Sequence, residues 1–122
     1  MKVLYVVPDK ESPPLLTFLQ MLEPKLQQKL FGQFLMLSKP PLPREPLVKH
    51  FTIEKYSRLY ELRAKSKVMV RIIFTILDND DILFLTPFIK KHKRNTMQAL
   101  DSSLKLLAQV NNGTCPVKEL NL

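Results

Sequence analysis

The sequence predicts an α+β domain with the order β-α-α-β-β-β-α. A short β-branched run opens the chain and gives way to apolar residues at helical spacing. From Tyr56 onward the apolar period changes to two, and a last stretch near the C-terminus returns to helical spacing. The 122 residues suit one domain, and an apolar content of 45% is enough to build a core.

Val3 to Val7 reads as the first strand, being short and β-branched. Ser12 is placed to cap a helix and Pro13 to take its first position, where a missing N–H costs nothing. Leu15, Leu16, Leu19 and Leu22 then follow helical spacing. Pro24 is poor inside a helix and so opens a second one, on which Leu26, Leu30, Phe34 and Leu37 form an apolar seam. The two make a helical hairpin. Residues 39–46, with prolines at 40, 41, 43 and 46, form a stiff connector. Leu59–Arg63, Val68–Leu77 and Ile82–Ile89 read as three strands of an antiparallel meander, the last two joined by a turn at Asp78–Asp81. Pro87 cannot donate to a ladder and belongs near a strand end or on an edge. Asn95 or Thr96 caps a last helix with Met97, Leu100, Leu104 and Leu107 on one stripe, ended by Asn112-Gly113. Residues 1–113 are read as one domain and 114–122, which carry no pattern, as a tail. The expected architecture is an N-terminal helical hairpin packed on a mainly antiparallel four-stranded sheet. All helices lie on one face in this expectation, and the other is open to a ligand.

Several chemistries lack their residues. Cys115 is the single cysteine, so no intrachain disulfide or multi-cysteine zinc site is expected. Gly32 and Gly113 are the only glycines and build no phosphate-cradling loop, and no HExxH occurs. His50 and His92 are the only imidazoles, and no Ser/His/Asp set stands out. No apolar run reaches the ~18 residues of a membrane helix, and the start lacks the features of a signal peptide. The expectation is a cytoplasmic protein with no metal, no cofactor and no membrane partner.

Charge is uneven. Nineteen Lys and Arg against eleven acids give +8, and residues 39–94 alone, with thirteen cations and six acids, carry +7. Such an excess suits a polyanion. Alternation puts Val68, Val70, Ile72, Phe74 and Ile76 on one face of their strand, and Met69, Arg71, Ile73, Thr75 and Leu77 on the other. Arg71 is therefore mid-strand, and Glu61 and Arg63 share a face on the neighbouring strand. These three form either a cross-strand ion pair or part of an anion site. Lys90, Lys91, His92, Lys93 and Arg94 follow the last strand without an interleaved acid, placed to clamp a phosphate backbone. His92 carries an imidazole, a side-chain type that suits proton transfer. These are the residue types required for RNA cleavage by its own 2′-OH: cations for the phosphate, a base for the hydroxyl and an acid for the leaving oxygen.

Leu59-Tyr60-Glu61-Leu62-Arg63, Val70-Arg71-Ile72-Ile73-Phe74, Ile82-Leu83-Phe84-Leu85, Phe88-Ile89-Lys90-Lys91 and the terminal amphipathic helix together resemble RelE-superfamily toxins of type II toxin–antitoxin systems. The HigB and phage-derived branch is the most similar, over roughly positions 2 to 109. The resemblance implies a RelE-like, microbial-RNase-like fold. It implies an mRNA interferase that cuts messenger without metal, usually on the ribosome, and is neutralised by a cognate antitoxin, expected to be of helix-turn-helix type. It assigns a phosphate-contacting catalytic role to Arg71, and further catalytic or binding roles to the cluster containing Lys91 and His92. Arg63, Lys65, Lys67, Lys90, Lys93 and Arg94 are expected to bind RNA. The Tyr that some members carry after the basic cluster is missing here, which leaves His92 and Glu61 as rival proton carriers. The superfamily also holds toxins that act on gyrase, so a non-enzymatic toxin or a nucleic-acid-binding module is the alternative.

Overall fold

In the computed structural model, which describes residues 1–8 and 12–122, strands from both ends of the chain meet in one sheet. The strands are β1 (Val3–Val6), β2 (Val48–His50), β3 (Leu59–Lys65), β4 (Met69–Ile76), β5 (Ile82–Ile89) and β6 (Val117–Glu119). Their order is β2-β3-β4-β5-β1-β6. β1 runs parallel to β5 and the other pairings are antiparallel. The helices are α1 (Pro14–Gln20), α2 (Pro24–Leu37) and α3 (Lys93–Asn111). The α+β class holds, but the sheet has six strands among the described residues rather than the expected four.

The two additional strands are β2 and β6, three residues each. Neither is long enough to display a period, and all of β6 is exposed. β6 lies within residues 114–122, read above as an unpatterned tail, and pairs with β1 at the sheet edge.

The expectation that every helix packs on one face is overturned. α1 and α2 cover one face, where Leu15, Leu19, Leu26, Leu30, Phe34 and Leu37 meet Leu62, Val70, Ile72, Phe74 and Phe84. α3 covers the other, with Leu100 and Leu107 packed in the cluster of Leu59, Ile73, Leu83 and Leu85. The cause lies in the strands: β4 and β5 are apolar on both sides, so both faces require a cover. Leu30, Phe34, Leu37, Ile72, Ile73 and Phe74 are fully buried, each contributing roughly 1.5–3 kcal/mol of transfer free energy.

Local signals mostly act where they stand. Pro24 occupies the first turn of α2. α1 begins one residue later than expected, with Pro13 as its N-cap and Pro14 inside, because the second of two adjacent prolines takes the first helical position. Pro87 sits on β5 beyond Phe84, the last residue paired with β1, so its missing N–H lies where only β4 is a neighbour. α3 starts at Lys93, not after Asn95 or Thr96. Asn95 instead reaches back, and its Oδ1 accepts from the backbone N–H groups of Lys91 at 2.9 Å and His92 at 2.7 Å. On α3's stripe Met97 is exposed, while Ala99, Leu100, Ser103 and Leu107 are buried. Gly113, at φ 82°, follows the helix end as expected.

Candidate functional site

Alternation sends Glu61, Arg63 and Lys65 of β3, and Met69 and Arg71 of β4, to the α3 side of the sheet. α3 lies over β5 and the adjoining part of β4, so β3 runs beside the helix rather than beneath it. The ladder register sets two basic rows. Arg63 is opposite Arg71, and Arg71 is opposite Phe88. One step toward the hairpin, Lys65 is opposite Met69, whose carbonyl accepts from the Lys90 N–H at 2.8 Å.

Two guanidinia facing each other across a strand pair repel. Glu61, two residues along β3 from Arg63, supplies the counter-charge. Its Oε1 accepts from Arg63 Nε at 2.8 Å and lies 3.7 Å from Arg71 Nε. Arg71 Nη1 donates to the Val70 carbonyl at 3.0 Å. Glu61 is only 1% exposed and Arg71 8%, whereas the Arg63 side chain is 25% exposed. Burial lowers the Arg71 pKa below the ordinary guanidinium range, the Glu61 carboxylate opposes that, and Arg63 adds to it. Glu61 Oε2 and Arg71 Nε are buried without a hydrogen-bond partner among the described residues. One carboxylate between two guanidinia leaves the cluster with one excess positive charge, and Arg63 is the member that carries charge to the surface.

The rim follows directly. Lys90 is half-buried at the end of β5, and Lys91, His92, Lys93 and Arg94 are exposed. His92 is the N-cap of α3, and Lys93 and Arg94 fall in its first turn, which carries no acid. Cations at the positive end of a helix dipole each disfavour the helix by about 0.3–1 kcal/mol. These two raise the local positive potential at the expense of α3. Lys65 and Lys67 are exposed at the β3–β4 hairpin, where Lys29 Nζ donates to the Lys65 carbonyl at 2.8 Å.

The predicted residues thus fall into three groups. Glu61, Arg63 and Arg71 touch one another. Lys65 and Lys90 flank Met69 in the adjoining row. Lys67, Lys91, His92, Lys93 and Arg94 form an exposed border, and no hydrogen bond links the His92 ring to the Glu61 cluster among the described residues. Two participants were not foreseen. Phe88 lies beside Arg71 in the ladder, and half-exposed Met69 separates Lys65 from Lys90. Both are visible only once the strands are in register. A latch between the 3-10 turn and α3 was also missed. Tyr56, in a single 3-10 turn over Glu54–Tyr56, donates its hydroxyl to Asp101 Oδ1 on α3 at 2.6 Å, and Lys55 Nζ lies 3.4 Å from the same oxygen.

This is a small basic α+β domain that presents guanidinia and lysines along one end of a sheet. The phage-derived Gp49-like protein family matches residues 17–108, most of the chain. The chain belongs to this family, a toxin-like family related to the RelE/HigB superfamily. No curated protein matches it. No helix among the described residues is long and apolar enough to cross a membrane.

Proposed function

We propose that the protein is the toxin of a toxin–antitoxin pair and cleaves messenger RNA on the ribosome through metal-independent attack by the RNA's own 2′-OH. The observation that carries this reading is the opposed Arg63–Arg71 pair with one buried carboxylate, one negative charge short of neutrality, joined through the ladder to the Lys90–Arg94 rim. A scissile phosphodiester supplies the missing charge. In the transition state, negative charge grows on the phosphoryl oxygens, where fixed guanidinia stabilise it most.

The 2′-oxygen attacks the adjacent phosphorus while its proton leaves to a base. The P–O5′ bond breaks and an acid protonates the departing oxygen. The products are a 2′,3′-cyclic phosphate and a 5′-hydroxyl. His92 is exposed at the rim, and its imidazole is the group type that can carry these protons. Lys65, Lys67, Lys91, Lys93 and Arg94 hold the flanking backbone electrostatically. The partners are the ribosome with its message and a cognate antitoxin of helix-turn-helix type.

One observation favours a second reading, a non-enzymatic nucleic-acid binder. Glu61 and Arg71 are nearly enclosed, so a large part of the motif is committed to internal pairing. Mapping transcript 5′ ends after brief induction separates the two. The wild type should generate new, discrete ends, and a variant with Lys91, Lys93 and Arg94 changed to Ala should not, while still melting cooperatively. Growth arrest with intact transcripts would support the binder instead.

A further inference from the structure

The Glu61–Arg63–Arg71 cluster divides its labour, and the division deepens the reading that this face takes an RNA phosphate. Glu61 and Arg63 lie two residues apart on one face of β3, and the Arg63 Nε–H donates to Glu61 Oε1 at 2.8 Å. A guanidinium held through Nε retains both terminal nitrogens, and neither is engaged by another described residue. Arg71 is turned inward, with Nη1 spent on the Val70 carbonyl and its side chain 10% exposed against 25% for Arg63. Glu61, at 1% exposure, lies beneath both. A proton carrier must come within hydrogen-bond reach of the hydroxyl it serves, and a carboxylate enclosed under two cations does not offer that reach.

We infer that Glu61 is a positioning residue rather than a proton carrier: it fixes Arg63 by Nε so that the two terminal nitrogens face outward as a fork for a single phosphate. An arginine held in this way avoids much of the ordering entropy that a free side chain loses on binding. Arg71 balances the charge beneath.

A double-mutant cycle on the full chain tests this, read as affinity for a short single-stranded RNA carrying 2′-deoxy sugars so that it is bound but not cut. Arg63→Ala should weaken binding roughly tenfold and lower the salt slope by about one, as removal of one phosphate contact does. Glu61→Gln should weaken binding severalfold in the wild-type background and leave it unchanged in the Arg63→Ala background, because its effect acts through Arg63. Arg63→Lys, which keeps the charge at a position a quarter exposed and should still melt cooperatively, should behave like Arg63→Ala, since a point charge lacks the fork. The inference is overturned if Glu61→Gln leaves affinity intact and abolishes cleavage, if it tightens binding equally in both backgrounds, if Arg63→Lys binds like the wild type, or if the wild type does not bind the oligonucleotide. Transcript mapping is independent of this assay. Intact transcripts with a positive cycle would remove the nuclease reading alone, and cut transcripts with a negative cycle would remove this inference alone.

Discussion

Glu61 and Arg71 differ in what their loss leaves behind. Glu61→Ala strands two opposed guanidinia with no counter-charge, whereas Arg71→Ala leaves the Arg63–Glu61 pair intact. Breaking a buried pair so that charge is left uncompensated costs about 3–5 kcal/mol. Glu61→Ala should fall in that range by urea unfolding and Arg71→Ala clearly below it; equal losses would contradict the charge balance described for the cluster. At Cys115 burial is the main influence, raising the thiol pKa over the opposing backbone contact at Val7. It should resist thiol reagents until the chain unfolds, and rapid labelling of the native protein would show otherwise. At this scale the period of β4 made legible which face Arg71 takes. Its inward turn was not legible, because strand alternation sets a side chain's face and not its rotamer, and the Val70 carbonyl and Glu61 decide the rest.

α3 begins with the wrong charges for its own stability, and that mismatch can be tested. Lys93→Glu and Arg94→Glu should each raise stability by about 0.3–1 kcal/mol through the helix dipole, while weakening RNA binding. A thermal melt and a binding isotherm on the same variants check both signs, and a variant that loses both would assign these residues to packing instead. The latch between the 3-10 turn and α3 has its own pH profile. The Tyr56 hydroxyl, then Lys55, holds Asp101 below the usual carboxylate range, while Asp101 raises both Tyr56 and Lys55. A lowered acid pKa gives stability that is complete above the unfolded value and is lost as pH falls through the folded one. The raised Tyr56 and Lys55 values give stability that is complete below their unfolded values and is lost as pH rises through the folded ones. The latch should therefore contribute a constant amount across neutral pH and fade toward both extremes. Comparing Tyr56→Phe with the wild type in urea across pH should show a gap that closes in acid; a gap independent of pH would mean that the ring, and not the hydroxyl, holds the turn. Long elements were readable from sequence: α2 through the helical spacing of Leu26, Leu30, Phe34 and Leu37, and β5 through its apolar run over Ile82–Ile89. β2 and β6 were not, since three residues hold too little pattern. The start of α3 was displaced because Asn95 caps from inside the first turn rather than before it.

The whole molecule is a sheet with apolar cover on both faces, and among the described residues its buried charges, Glu61 and Arg71, lie on β3 and β4. The class was legible because the switch between the two periods is strong. The layering was not, because an apolar strand looks the same whether one face or both are covered. The +8 net charge is concentrated in residues 39–94, which include Arg63, Lys65, Lys67, Arg71 and the Lys90–Arg94 rim. RNA affinity should accordingly fall steeply with salt, and each exposed rim lysine replaced should reduce the slope by about one. Attack by the 2′-OH fixes the chemistry of both new ends, and the end groups of cleaved message report which oxygen attacked. Fragments recovered after brief induction should carry 5′-hydroxyl and 2′,3′-cyclic phosphate termini; 5′-phosphate with 3′-hydroxyl ends, or messages that remain whole, would contradict it.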